Sequence, residues 1–430
     1  MSSLYNLHCR SLSLALKSKP ARDAWKLLAQ QAVGRVVTFF GAAYAMRMLG
    51  PRELGVAALI LWAVAQGAVL LDLGLSVTGT RLLVNEPDRR DAIVSLVWGI
   101  RLRAALLLCI LMLLAVQFVR PGGSLALWLT AVPLLILSAL TPGWVFQGME
   151  RTPVLYSVQL VQATVASILY FALFRPGANA QLYLTVALFT QALGWGLSYH
   201  LMRRQLRMDW TKFDWTSAWR LLRSSAWAFA TVITVFLYTG LEIPLITWLV
   251  STADAGIYRA AQAMIGAFAP VLGAVPLLLY PRLVVWKNQS PLEFRHKSLV
   301  AELMLAGIGV FIVGTALVAV PLAFRILLGP TFEKGMTPCL LLIVAKAFVL
   351  VANVPAWGLY AHERDKTYLG VTCGVALVSI TLNLLLIPRF GILAASAANV
   401  LSEFLILLGS SLALHSYLRA ATNRTALANC

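Results

Sequence analysis

The sequence predicts an all-α polytopic membrane protein of about twelve transmembrane helices in two six-helix halves, with both termini cytoplasmic. Three observations carry this. Hydrophobic residues make up 60% of 430 positions against 12% charged. Apolar runs of about 18 to 25 residues recur along the chain, each long enough for roughly 30 Å of hydrocarbon. Finally, the surplus of Lys and Arg falls mainly on the tails and the even-numbered loops, which by the positive-inside bias puts those on the cytoplasmic side.

The first 24 residues carry Arg10, Lys17, Lys19 and Arg22 around a short apolar run without a small-residue cleavage site, so they read as a cytoplasmic tail. The expected spans are 27–48, 54–76, 97–119, 125–147, 154–174 and 181–201 in the first half (25–202), then 226–249, 257–280, 301–324, 338–360, 367–387 and 391–416 in the second (225–417). Between them the linker 203–224 is basic and contains Trp210, Phe213, Trp215 and Trp219, a spacing that suits a short helix in the headgroup layer. Residues 418–430 form a second cytoplasmic tail.

Two spans contain a full charge. Arg35 in span 1 and Lys346 in span 10 would each cost about 3 kcal/mol or more at a bilayer centre unless they face a partner or a wet cavity. Other polar residues line up at helical spacing. Gln31, Arg35 and Thr38 share a face of span 1, and Gln159, Gln162 and Tyr170 one of span 5. Span 7 carries Thr231, Thr234, Tyr238 and Glu242; span 10 carries Lys346, Asn353, Trp357 and Tyr360. Ser379-Asn383 and Ser396-Asn399-Glu403 add spans 11 and 12. Lipid cannot satisfy such stripes, so they are expected to face one hydrated cavity. Arg35, Lys346, Gln31, Asn353, Tyr238 and Trp357 are its candidate substrate contacts. Glu242 and Glu403 are the deepest acids, and each either binds a coupling Na⁺ or proton or neutralises Lys346 or Arg35. Asp72, Arg81, Arg282 and Pro244 are expected in gating or packing.

Helix breakers punctuate several spans. Gly240-Leu-Glu242-Ile-Pro244 sits in span 7, Pro270, Gly273 and Pro276 in span 8, and Asn353-Val-Pro355 in span 10. Proline removes a backbone hydrogen bond, so interruptions are expected at these places.

An internal repeat divides the chain. Glu53-Leu-Gly55-Val56 is followed 26 residues after its glycine by Arg81, and Asp254-Ala-Gly256-Ile257 is followed at the same interval by Arg282. The offset is 201 residues. Two halves of six helices each then share one orientation about an axis along the membrane normal, with a substrate site between them.

Enzymatic function finds little support. No Gly-rich phosphate loop is present, the five cysteines lack ligand-like spacing, and all five histidines fall on the expected cytoplasmic side. The expected outer loops, such as Leu49 to Glu53 and Gly329 to Thr337, are too short to house a glycosyltransferase or polymerase centre. No metal, cofactor or nucleic acid is expected, and membrane lipids are the surrounding partner.

The chain resembles the Wzx-type flippases of the polysaccharide transport family, in the superfamily that also holds the multidrug and toxin extruders (MATE) and the lipid II flippases. The resemblance rests on Arg47-Met-Leu-Gly-Pro51 with Glu53-Leu-Gly55, and on Asp72-Leu-Gly-Leu75 leading to Arg81. Ala255-Gly256-Ile-Tyr258, Leu327-Leu-Gly-Pro-Thr-Phe332 and Asn383-Leu-Leu-Leu-Ile-Pro388 continue it in order. It implies alternating access moving an undecaprenyl-diphosphate-linked oligosaccharide across the bacterial inner membrane for exopolysaccharide, capsule or O-antigen, beside polymerase and glycosyltransferase components. It also implies diphosphate contact by Arg35, Arg47 and Arg259, which loosely match arginines of the lipid II branch; Lys346 has no such counterpart. A multidrug or metabolite antiporter of the same fold is the rival reading, and a polytopic glycosyltransferase the second.

Overall fold

The computed structural model describes residues 19–119, 123–203, 206, 213–266, 275, 279–280, 282–287 and 290–428. Trp210, Pro270, Gly273, Pro276 and most of the N-terminal tail fall outside these, as do the side chains of Gln31, Thr231 and Tyr238. Among the described residues there is no strand. Among them, seven helical stretches are long and apolar enough to cross a membrane.

The first two expected spans form one element, α1 (Lys19–Asp72), broken only at Gly50. There the backbone takes φ 75°, ψ 170°, open to glycine at little cost, and Pro51 restarts the helix where its missing N–H is not needed. The same corner recurs at Gly329-Pro330, with φ 86° and ψ 177° at the glycine. After Asp72, left-handed Leu73 and Gly74 turn the chain into α2 (Leu75–Asn85). Helix α3 (Arg90–Val119) follows.

Span 4 is less regular than expected. It divides into α4 (Leu125–Leu129), α5 (Ala131–Ala139) and α6 (Gly143–Gly148), the last starting after Pro142. Helices α7 (Thr152–Leu173) and α8 (Ala180–Met202) complete the first half. The carboxylate of Glu53 accepts the Ala180 N–H at 2.9 Å, an anion placed on a helix N-terminus.

Helix α9 (Trp215–Thr239) is capped by Asp214, whose carboxylate accepts the N–H groups of Thr216 and Ser217. A hydrogen bond from the Ser217 side chain, followed by those two N–H groups, holds the Asp214 carboxyl below the usual range. The chain then breaks at Gly240-Leu241, as the sequence leads one to expect, and resumes as α10 (Glu242–Leu249) and α11 (Thr252–Ile265). Helix α12 (Pro291–Ala323) ends in a wider π-type turn before the Gly329 corner. Helix α13 (Met336–Ala361) runs through Pro355 without the expected interruption. Finally α14 (Asp365–Ala428) contains spans 11 and 12, folded only at Gly391.

These corners gather at one end of the bundle. Arg47 donates to the Ile326 carbonyl at 2.8 Å, and a Cβ on Gly391 would touch Val250. Lys19 and Ala428, the first and last described residues, therefore lie at the opposite end, termed the terminal end.

The repeat seen in the sequence is a physical contact. A Cβ on Gly55 would overlap the Thr252 carbonyl, and one on Gly256 would overlap the Pro51 carbonyl. Thr252 is the repeat counterpart of Pro51, so the two clashes are mirror statements of one crossing about a pseudo-two-fold axis. At this corner end both halves share a core, in which Leu54, Ala57 and Ile60 pack with Ile257, Tyr258 and Ala261. Toward the terminal end the cores separate. One cluster holds Val97, Trp98 and Trp144 of the first half, another Leu283, Phe294 and Leu414 of the second. The halves thus meet at one end and part at the other.

Helix α9 straddles this division. Its first turns bury Ala218 and Leu221 in the first half's core, and Ser225 bonds Thr78 at 2.8 Å. Farther on, Thr234 touches Cys373 of α14. The expected boundary at 224/225 falls inside this helix.

Candidate functional site

Among the described residues, several charged side chains sit at membrane depth, and the structure sorts them by partner. Lys346 on α13 donates to Glu403 on α14 at 3.5 Å. Glu242, fully buried at the start of α10, accepts from Asn399 at 2.9 Å, and both Lys346 and Glu403 lie close enough to act on it electrostatically. The stripes of spans 7, 10 and 12 therefore converge in the second half. A buried charge costs several kcal/mol unless paired, and this cluster supplies one cation to two carboxylates.

Arg101 on α3 is the cation the sequence reading passed over. It is 3% exposed and donates to Asp72 and, at 2.9 Å, to Ser76, whose hydroxyl in turn bonds Asp72 at 2.5 Å. Its guanidinium also stands 5.9 Å from the Trp144 ring. A third arginine in an apolar run was the available signal; it calls for a partner as Arg35 does. Asp72 holds the last turn of α1 against α3, just before the Leu73-Gly74 corner.

Arg35 and Arg259 are different. Among the described residues neither has a carboxylate partner. Arg35 lines a cavity of about 280 Å³ between α1 and α7, with Thr38, Tyr156 and Gln159. Arg259 lines a cavity of about 170 Å³ beside the pseudo-two-fold axis, between the halves, with Trp62, Gln66, Gln262 and Glu242. The expectation of a single cavity holding Arg35 and Lys346 gives way to these separate places. Lys346 finds carboxylates within its own half, so it does not turn to the Arg35 side.

The remaining candidates fall elsewhere. Arg47 is tied to the Ile326 carbonyl at the corner end. Asn353 and Trp357 bond each other at 3.2 Å on α13, where Trp357 meets the rings of Tyr280 and Tyr360. Arg81 and Arg282 are exposed toward the terminal end, and Pro244 is buried in the first turn of α10. Trp62, Gln66 and Gln262 were not singled out beforehand. Trp62 donates its indole N–H to the Gly240 carbonyl, linking the first half to the break in span 7.

A family model described as "Polysaccharide biosynthesis protein" matches residues 21–284. The chain belongs to this family. The match begins in α1 and extends past the axis cavity, so it includes Arg35, Trp62, Glu242 and Arg259. Among solved structures, the chain is similar to the lipid II flippase MurJ in an inward closed conformation. That match has a TM-score of 0.71 at 11% identity, covering 93% of this chain and 90% of that one. An inward-facing multidrug resistance MATE transporter gives 0.61 at 13% identity, covering 91% and 99%. A Vibrio cholerae MATE transporter gives 0.52 at 12%, covering 93% and 97%. These likenesses show a MurJ/MATE-like fold for this family member. No curated protein matches the chain.

Proposed function

We propose that this chain is a flippase that moves undecaprenyl-diphosphate-linked oligosaccharide repeat units from the inner to the outer leaflet of the bacterial cytoplasmic membrane, by alternating access of its two halves. One observation carries this reading. Among the described residues, four intramembrane cations divide into two tied to carboxylates, Lys346 and Arg101, and two arginines that line cavities without a salt-bridge partner, Arg35 and Arg259, with Glu242 also lining the Arg259 cavity. A lipid diphosphate brings about two negative charges into a low-dielectric interior, and unpaired guanidinium groups offset its desolvation through charge-assisted hydrogen bonds.

The corner end, where the halves share a core, is then the outer face, and the separated terminal end is open to the cytoplasm. This agrees with the lysine and arginine bias of the loops. The second half supplies ion coupling. Glu242 is buried, Glu403 shares Lys346 with it, and the Asn399 carbonyl oxygen next to Glu242 has no hydrogen-bond partner among the described residues. A Na⁺ ion or a proton entering there completes a cluster short of one positive charge.

The test is proteoliposome flipping of a fluorescent undecaprenyl-diphosphate oligosaccharide, read by quenching from outside. Wild-type protein is expected to expose the label faster than protein-free liposomes, and Arg35→Ala and Arg259→Ala to slow it while a folded, monodisperse protein persists. Wild-type rates equal to empty liposomes under both Na⁺ and proton gradients would refute the proposal.

A further inference from the structure

The axis cavity has a chemistry that a diphosphate does not explain. Its about 170 Å³ lies below the roughly 300–1,000 Å³ typical of sites for drug-sized ligands, so it fits one small ring rather than a lipid head with several sugars. One wall is the Trp62 indole, whose N–H is fixed on the Gly240 carbonyl and whose ring is thereby held in place. Two side-chain amides, Gln66 and Gln262, face the same space from opposite halves, with the Arg259 guanidinium and the Glu242 carboxylate, which can accept from a hydroxyl.

The internal repeat sharpens this. The 201-residue offset that superposes Gly55 on Gly256 also superposes Ala58 on Arg259 and Leu61 on Gln262, and all four line the cavity. The crossing itself keeps the repeat; deeper in, the halves diverge, with Ala58 and Leu61 opposite Arg259 and Gln262, and Trp62 and Gln66 of the first half having Ala263 and Ala267 as their sequence counterparts. Each half thus adds polar or aromatic side chains of its own at the place where a polar ligand would sit beside the axis.

We propose that this cavity is a single-sugar pocket that reads the hexose attached directly to the diphosphate. This rests on the flippase reading and deepens it. An amide side chain offers two donors and an acceptor, which matches paired ring hydroxyls. The indole wall takes the apolar C–H face of the ring, and Arg259 donates to a hydroxyl or to the adjoining phosphate oxygen. Specificity follows because a site built to hydrogen-bond a hydroxyl strongly disfavours a ligand that lacks it in that orientation. Gln66 and Gln262 are thus specificity-determining residues.

The experiment compares binding of four lipids to protein in nanodiscs by native mass spectrometry: undecaprenyl diphosphate and its N-acetylglucosamine, glucose and galactose derivatives. Wild-type protein is expected to bind at least one glycosylated lipid about tenfold tighter than the bare diphosphate, the worth of one or two hydrogen bonds. Gln66→Ala/Gln262→Ala is expected to lose that increment and keep the bare-diphosphate affinity. Gln66→Leu, which preserves bulk, is expected to lose part of it, so a loss cannot be assigned to misfolding or collapse. An increment retained in the double variant, or absent from wild type for all three sugars while the bare diphosphate still binds, overturns the pocket and leaves the flippase reading standing. Wild-type protein that binds none of the four lipids overturns both.

Discussion

Arg35 and Lys346 look alike in the sequence, and their surroundings give them opposite consequences. Lys346 neutralises buried Glu403, so Lys346→Ala strands a carboxylate. Its side chain is one-third exposed, which reduces the cost to on the order of 2 kcal/mol. We expect a lower melting temperature in detergent, restored in Lys346→Met/Glu403→Leu, where both charges go. Arg35→Ala should leave the melting temperature within about a degree and lose cargo affinity instead, since a partly exposed side chain away from packed features rarely changes stability much. A fall in melting temperature on Arg35→Ala equal to that of Lys346→Ala would contradict this division. Asp72→Asn is expected to resemble the Lys346 case, by about 3 kcal/mol, because Arg101 is then buried without its anion. That both cations needed partners was legible from their apolar context. Which carboxylates would reach them was not, because Asp72 and Arg101 are 29 residues apart in sequence and Lys346 and Glu403 57.

Helices were foreseeable where composition alone decides them and less so at their ends. Long apolar runs fixed the existence of spans 1, 3, 5 and 9. The corners depended on backbone conformations that sequence only hints at. Gly50-Pro51 was expected as a loop and is a bend of a single residue, and Pro355 was expected as a break and is absorbed. The break at Gly240 was foreseen because glycine, an acid and proline cluster there. Among these elements the Gly55/Gly256 crossing is the most demanding, since each glycine lies against a carbonyl of the other half. Gly55→Leu or Gly256→Leu should push the halves apart at the corner end. The expected outcome is loss of flipping with thiols near Leu54 and Ile257 newly open to a water-soluble maleimide; normal flipping in either variant would show that the crossing is not required.

At the scale of the whole molecule, alternation requires the shared core at the corner end to open while the terminal end closes. A short thiol cross-linker between Pro51→Cys and Thr252→Cys, in a background without native cysteines, is expected to stop flipping and to release it on cleavage. Flipping that continues at full rate in the linked protein would show that the halves need not part there. The division of labour was only half readable beforehand. The sequence stripes pointed to a single wet cavity, whereas the fold sends the charged groups of spans 7, 10 and 12 to one side and the polar face of spans 1 and 5 to another. The reason is geometric, because a stripe fixes which face of a helix is polar but not which neighbour that face meets.

The glycine crossing also bears on how fast the molecule can cycle. At the two glycines themselves nothing but backbone stands between the helices, so those points can part and meet again without any rotamer change. The resistance sits just beside them, where Leu54 and Ile60 pack with Ile257 and Tyr258 and must leave one another for this end to open, at about 25 cal/mol for each Å² of apolar surface exposed. The glycines are thus the pivot of a seam whose stiffness is set by the apolar side chains that flank it.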